Sequence, residues 1–196
     1  PTPTPAPNAN TNTNSTNGSN NKSDDKVNDN DESQITTSTT FLSTLHQTVL
    51  SNPTKTFATW YNAKGNPTHS YTYRKIWQEA GHIAYILHNS NNNNSKDSSL
   101  SFSLQPNDRV VLCYNFGLSF FAAFLGCLRA NITAVLVYPP NPSNLKGSLE
   151  KMTLVANDCD AKCILVDGDI EKLRRLDRLN PFSKSRDLWP KDTPFV

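Results

Sequence analysis

Few residues in this 196-residue chain stand at spacings that chemistry would use. Glu79-x-x-His82 has the spacing of a carboxylate and an imidazole that share a metal ion from one side of a helix. Such centres need a second copy of the pair, and the chain has none, so the pair reads as solvated surface beside an apolar stripe. His46, His69 and His88 have no Cys, Asp or Glu at ligand spacing. Cys159-x-x-x-Cys163 lacks the second ligand pair of a zinc site. Together with Cys113 and Cys127, these thiols lie in or beside apolar patterns and read as small buried hydrophobes of a reducing compartment.

Phosphate and acyl chemistry leave equally little trace. The seven glycines form neither Gly-x-Gly-x-x-Gly nor the Gly-x-x-x-x-Gly-Lys-Ser/Thr loop, and no Gly-x-Ser-x-Gly elbow presents a serine. Gly117 follows a strand and opens a helix, where backbone N–H groups can meet an anion. Close packing of helix on strand is the simpler account of that glycine. Lys172, Arg174, Arg175 and Arg178 cluster on one helix, but Glu171 and Asp177 interleave with them as on a solvated face. Tyr71, Tyr73 and Trp77 could form a stacking platform, yet Tyr73 and Trp77 belong to an apolar stripe. No catalytic, cofactor-binding or metal-ligating residue is assigned from these patterns.

The elements that would position a site are clearer, and they centre on Val110–Pro142. Val110–Tyr114 is a β-branched run fit for a buried strand. Phe116–Arg129 is long enough for a helix buried almost all round, and Asn131 is suited to its left-handed close. Ile132–Tyr138 is a second strand, ended by Pro139-Pro140. Strand, buried helix, strand is a βαβ crossover, which implies a parallel sheet. The longest unbroken apolar run is far short of the roughly 20 residues of a membrane-spanning helix. Upstream, a short helix carries Phe41, Leu42, Leu45, Val49 and Leu50, and Phe57–Tyr61 and Ser70–Tyr73 flank a turn at Ala63–Pro67 as a β-hairpin. Thr72 can cap an amphipathic helix striped by Tyr73, Ile76, Trp77, Ala80, Ile83, Ala84 and Leu87. Residues 89–99 are a low-complexity loop.

Downstream, Gln105–Asp108 is a turn, and Ser143 or Asn144 caps a helix striped by Leu145, Leu149, Met152 and Ala156. Ala161–Val166 is a third strand and Ile170–Leu179 a charged amphipathic helix, so the order from Arg109 is βαβαβ, half of a doubly wound sheet. Trp189–Val196 reads as a loop running into a strand. Residues 1–38 hold almost no large apolar side chain and are expected to be a disordered Asn/Thr/Ser/Pro-rich tail, leaving 39–196 as one domain's worth of chain. The net charge of +2 is too small to argue for nucleic acid or an anionic membrane. No secretory signal or transit peptide is visible, so the expected location is cytoplasmic. Sequons such as those at Asn14 and Asn131 arise by chance in an Asn-rich chain.

The motifs resemble those of one family. Ser70–Ile76 (SYTYRKI) is similar to the first core motif of adenylate-forming, AMP-dependent synthetase/ligase enzymes, and Gly126–Val135 (GCLRANITAV) to their second, with Asn131 where a glycine is usual. Leu136–Pro142 (LVYPPNP) looks like fatty acyl-AMP ligases, whereas acyl-CoA synthetases usually carry Asn-Pro there. Leu149, Met152, Ala156 and Ala161–Leu165 fit the next helix and strand, so the resemblance covers about Phe41–Val196. It implies an α/β fold: a β-hairpin plus a βαβαβ unit with a mainly parallel sheet, as a partial N-terminal subdomain of the adenylate-forming enzyme.

The same resemblance implies a reaction. A fatty acid and ATP, with Mg²⁺, form an acyl-adenylate and pyrophosphate by in-line displacement, where positioning and charge stabilisation do most of the catalysis. The acyl group then passes to an acyl carrier protein's thiol, free-standing or within a polyketide or peptide synthase. The family's phosphate loop, nucleotide-binding motifs and catalytic lysine have no counterpart in positions 1–196, so no residue inherits a catalytic role. The chain is expected to be an inactive N-terminal fragment. Two alternatives stand beside this: a non-catalytic acyl-binding or scaffold module, and the N-terminal part of an acyl-CoA synthetase. A free-standing nucleotide-binding domain of another class lacks its glycine fingerprint.

Overall fold

The computed structural model describes residues 39–89 and 104–196. The tail expected over 1–38 and most of the loop expected over 89–99 lie outside the described residues. Helix α1, Phe41–Ser51, is capped by Thr40, whose side chain accepts the Ser43 N–H at 3.1 Å. Leu45 and Val49 face the core, whereas Phe41 and Leu50 are exposed, so only part of the expected apolar face is used.

The hairpin forms as expected but with a longer second strand. β1 (Thr56–Tyr61) pairs antiparallel with β2 (Pro67–Thr72). Pro67 is the first residue of β2 rather than the last of the turn, a position where a missing N–H costs no ladder bond. The turn is built by Asn62, whose side-chain oxygen accepts the N–H groups of Lys64 and Asn66, and by Gly65 at φ 78°. Tyr73 opens α2 (Tyr73–Asn89) instead of closing the strand, because the Thr72 hydroxyl caps the helix by accepting the Lys75 N–H at 3.2 Å.

The parallel sheet has the order β4-β3-β5, with β3 (Arg109–Cys113) between β4 (Thr133–Val137) and β5 (Cys163–Val166). Alternation along β3 sends Val110 and Leu112 to one face and Val111 and Cys113 to the other. The first face packs against α3 (Leu118–Arg129) through Ala123 and Cys127 and against α2 through Ala84 and Leu87. The second packs against α4 (Leu145–Asp158) through Leu149, Met152 and Ala156 and against α5 (Gly168–Leu179) through Ile170. Helices on both faces bear out the doubly wound reading. On the outer side of β5, Phe195 bridges Ile164 in parallel, and the Ile164 and Val166 N–H groups donate to Pro194 and Val196 at 2.8 and 3.0 Å.

Two helix ends show how local chemistry sets strand entry. Asn131, at φ 57°, closes α3: its N–H donates to Leu128 O at 3.1 Å and Ile132 N–H to Cys127 O at 2.9 Å. Asp160, at φ 50°, repeats the device after α4, with Asp160 and Ala161 N–H groups bonded to Asn157 O and Ala156 O. Of the two expected caps for α4, Asn144 is the one used, accepting the Gly147 N–H. No described helix is long and apolar enough to cross a membrane.

Candidate functional site

The chain leaves β3 toward the α3 face and leaves β5 toward the α5 face, so a crevice opens between the carboxyl ends of two neighbouring strands. That is where open α/β sheets place ligands. A cleft of about 540 Å³ lies there, lined by Asn115, Gly117, Ser119, Asp167 and Asp169, with Tyr71 of β2 on another wall. Asp167 organises it. Its carboxylate accepts the Asn115 N–H at 2.7 Å from the β3 loop, and the Asp169 and Ile170 N–H groups at 3.0 and 2.9 Å from the first turn of α5. One side chain thus caps a helix and ties two loops together. This cap starts α5 at Gly168, two residues before the expected Ile170.

The two helix N-termini at the crevice differ. That of α5 is filled by the Asp167 carboxylate, while that of α3 has no side-chain cap. The first turn of α3 is therefore the place where a ligand's anionic or carbonyl oxygen finds free N–H donors. Gly117 needs a different explanation from the one expected. A Cβ there would have Ser119 Oγ as its nearest neighbour, at 4.0 Å, and the backbone is extended, so close packing does not require glycine. Its missing side chain leaves the mouth of the crevice open.

The thiol and the phenol at the carboxyl end of β3 are not set up as nucleophiles. Burial pushes the Cys113 thiol up to about 12 and raises Tyr114 as well, so both stay protonated near neutrality. Cys127 and Cys163 are also buried and their thiols raised by desolvation, as small core residues would be; Cys159 is only half-buried.

The remaining candidate residues sort by packing. Glu79 reaches the crevice wall but is ion-paired with Lys75, and His82 does not line the cleft. His69 lines it, whereas His46 stacks on Trp77 with ring centroids 4.9 Å apart. Tyr73 and Trp77 lie on the apolar stripe but are only half-buried; Trp77 carries the Arg129 guanidinium 3.9 Å above its ring. Glu171 accepts two bonds from Arg174 and one from Arg175, and Arg174 also lies over the Phe195 ring, so this face is more than solvated charge. Asp167 was legible as a helix cap, being an Asp just before an amphipathic run. Its reach to Asn115, 52 residues away, left no sequence signal.

A family model described as AMP-binding enzyme matches residues 45–193. The chain belongs to the AMP-binding enzyme family. Among solved structures similar to it is a fatty acid AMP ligase from Legionella pneumophila, with a TM-score of 0.56 at 24% identity over 79% of this chain and 22% of that one. That likeness bears out the fold: a partial adenylate-forming domain of α/β type. A medium-chain-fatty-acid–[acyl-carrier-protein] ligase, JamA of Moorena producens, is 38% identical over 68 residues, 35% of this chain and 12% of that protein. Human Disco-interacting protein 2 homolog B is 31% identical over 114 residues, 58% of this chain and 6% of that protein. The chain therefore spans an eighth or less of the length of these relatives.

Proposed function

We propose that residues 39–196 are the N-terminal portion of an AMP-forming ligase that activates a fatty acid with ATP and passes it to a carrier-protein thiol in the cytoplasm. The family match across 45–193 carries this reading. The relation to JamA, whose name specifies a fatty acid and an acyl-carrier protein, supports the choice of acid and acceptor over an acyl-CoA synthetase.

In such an enzyme these residues position and do not react. The uncapped first turn of α3 donates its N–H groups to an oxygen of the substrate, and Asp167 holds the β3 and β5 loops at a fixed separation. The apolar walls of the sheet keep the Cys113 thiol and Tyr114 hydroxyl neutral and out of the reaction. Mg²⁺, where bound, supplies charge stabilisation to the phosphates. Among the described residues no group of three or more His, Cys, Asp or Glu is placed to hold a metal ion.

The test is fatty-acid-dependent exchange of labelled pyrophosphate into ATP. The product encoded by this sequence with whatever follows Val196 in frame should exchange, and load a holo carrier protein in preference to coenzyme A. The 196-residue chain alone should not exchange; activity from it would overturn the assignment of catalytic groups to other sequence. A second reading, a non-catalytic interaction module, draws on the match to Disco-interacting protein 2 homolog B over 58% of the chain. It predicts a longer product that binds an acyl ligand without forming the adenylate.

A further inference from the structure

Helix α5 and the loop after it combine cations that lack ion-pair partners with protruding apolar side chains. Between Asp169 and Asp187 the sequence has six cations (Lys172, Arg174, Arg175, Arg178, Lys184, Arg186) and four carboxylates (Asp169, Glu171, Asp177, Asp187), and Arg174 and Arg175 are ion-paired with Glu171. At about 3.6 residues per turn, Ile170 and Leu173 point to the core, Lys172, Arg175 and Leu179 point away from it, and Leu176 lies on the flank between. An outward helix face would ordinarily be polar. Here Leu176 is 59% exposed and Leu179 79%, and Phe182, just past the helix end, is 90% exposed.

The loop presenting Phe182 is held by specific bonds. Asp177 accepts from the hydroxyls of Ser183 and Ser185 and from Trp189 Nε1, the last two at 2.8 Å. Phe182 N–H donates to the Asn180 side chain at 3.1 Å. Asp177 is thus turned inward and consumed by hydrogen bonds, and Glu171 is held by Arg174 and Arg175, which leaves Lys172, Arg178, Lys184 and Arg186 as the cations beside the apolar tips. Beside it lies a cleft of about 400 Å³ whose charged lining is Arg174, Arg178, Arg186, Lys191 and one carboxylate, Asp187. Arg174 and Lys191 are paired with Glu171 and Asp187, while neither Arg178 nor Arg186 has an ion-pair partner among the described residues.

We propose that this face, Lys172–Arg186, docks on an anionic phospholipid surface, with Leu176, Leu179 and Phe182 entering the acyl boundary and the arginine-lined cleft receiving headgroup phosphates. The four cations without an ion-pair partner among the described residues, Lys172, Arg178, Lys184 and Arg186, match an anionic leaflet. The apolar side chains protrude instead of lining a groove, which suits insertion into a fluid interface better than the flat or concave fit of a protein partner. The attachment is peripheral and independent of the ligase reading. It would bring an enzyme of this family to where free fatty acid partitions.

Co-sedimentation of the 196-residue chain with vesicles tests it. Binding is expected to vesicles of phosphatidylcholine mixed with phosphatidylserine, not to phosphatidylcholine alone, and to weaken as salt rises. Arg178→Gln and Lys184→Gln should each weaken binding about fivefold. The double variant Leu179→Ser with Phe182→Ser should weaken it about tenfold or more. Tyr85→Ser, which removes another exposed aromatic, from α2, should change nothing. Circular dichroism checks that each variant keeps its helices. No binding to the anionic vesicles, unchanged binding in the Leu179/Phe182 variant, or equal loss in Tyr85→Ser would each overturn the proposal. So would tight binding to a purified acidic carrier protein with no vesicle binding, which would make the face a protein-docking surface.

Discussion

Helices α3 and α5 are both twelve residues long, and each leaves the carboxyl end of a strand at the same crevice, yet they are held by different forces. α3 has no side-chain cap and little surface charge, and buries Leu118, Ala122, Ala123, Leu125, Gly126 and Cys127. α5 buries only Ile170 fully and relies on local chemistry: Asp167 on two of its N–H groups and the Glu171 carboxylate shared by Arg174 and Arg175. One fully buried leucine is worth about 1.5–3 kcal/mol, whereas a cap is worth about 1. The helix built from burial lends Leu118, Ser119 and Ala122 to the wall of the cleft. The one built from caps and ion pairs is free to carry unusual side chains on its outer face.

The comparison fails most visibly if leucines in the two helices weigh the same. Leu125→Ala should cost about 2–5 kcal/mol in urea unfolding, and Leu176→Ala less than about 0.5. Glycines sharpen it further. A Cβ at Gly126 would lie 2.6 Å from Ile83 Cβ and Cγ2, so Gly126→Ala should destabilise by about 1–3 kcal/mol despite alanine's better helix propensity. At Gly168 nothing lies within 4 Å, and Gly168→Ala should instead gain about 0.4–1 kcal/mol. A stabilised Gly126→Ala would show that α2 and α3 are not in close contact.

Asp167→Ala should cost about 1 kcal/mol, with faster amide exchange in the first turn of α5 but not in the core of α3. The smallest effect is on pH. Hydrogen bonds from Arg174, opposed by partial burial and helped by Arg175, hold the Glu171 carboxyl below its ordinary value of 4.5. A carboxyl depressed in the folded state contributes stability above its unfolded value and loses it as pH falls through the folded one. Chemical shifts of α5 should therefore begin to move below about pH 4.5, before those of α3. Asp177 follows the same sign: burial alone would raise it, but the bonds from Ser183, Trp189 and Ser185 outweigh burial and hold it below 3.8.

Much of this was legible from residue order alone. The βαβαβ run, the hairpin, the Thr72 cap and the left-handed Asn131 follow from periodicity and from single residues with one favoured conformation, and the motifs around Ser70–Ile76 and Leu136–Pro142 pointed to the family. These are local properties, encoded within a few residues of where they act. Tertiary structure alone decided the rest. It brought Asp167 to Asn115, set Gly126 against Ile83, turned Asp177 inward to Trp189 and left Leu176 and Leu179 exposed. The physical reason is that partners separated by many residues meet only through the sheet's crossovers. A helix's apolar residues do not announce which of two faces the core will take.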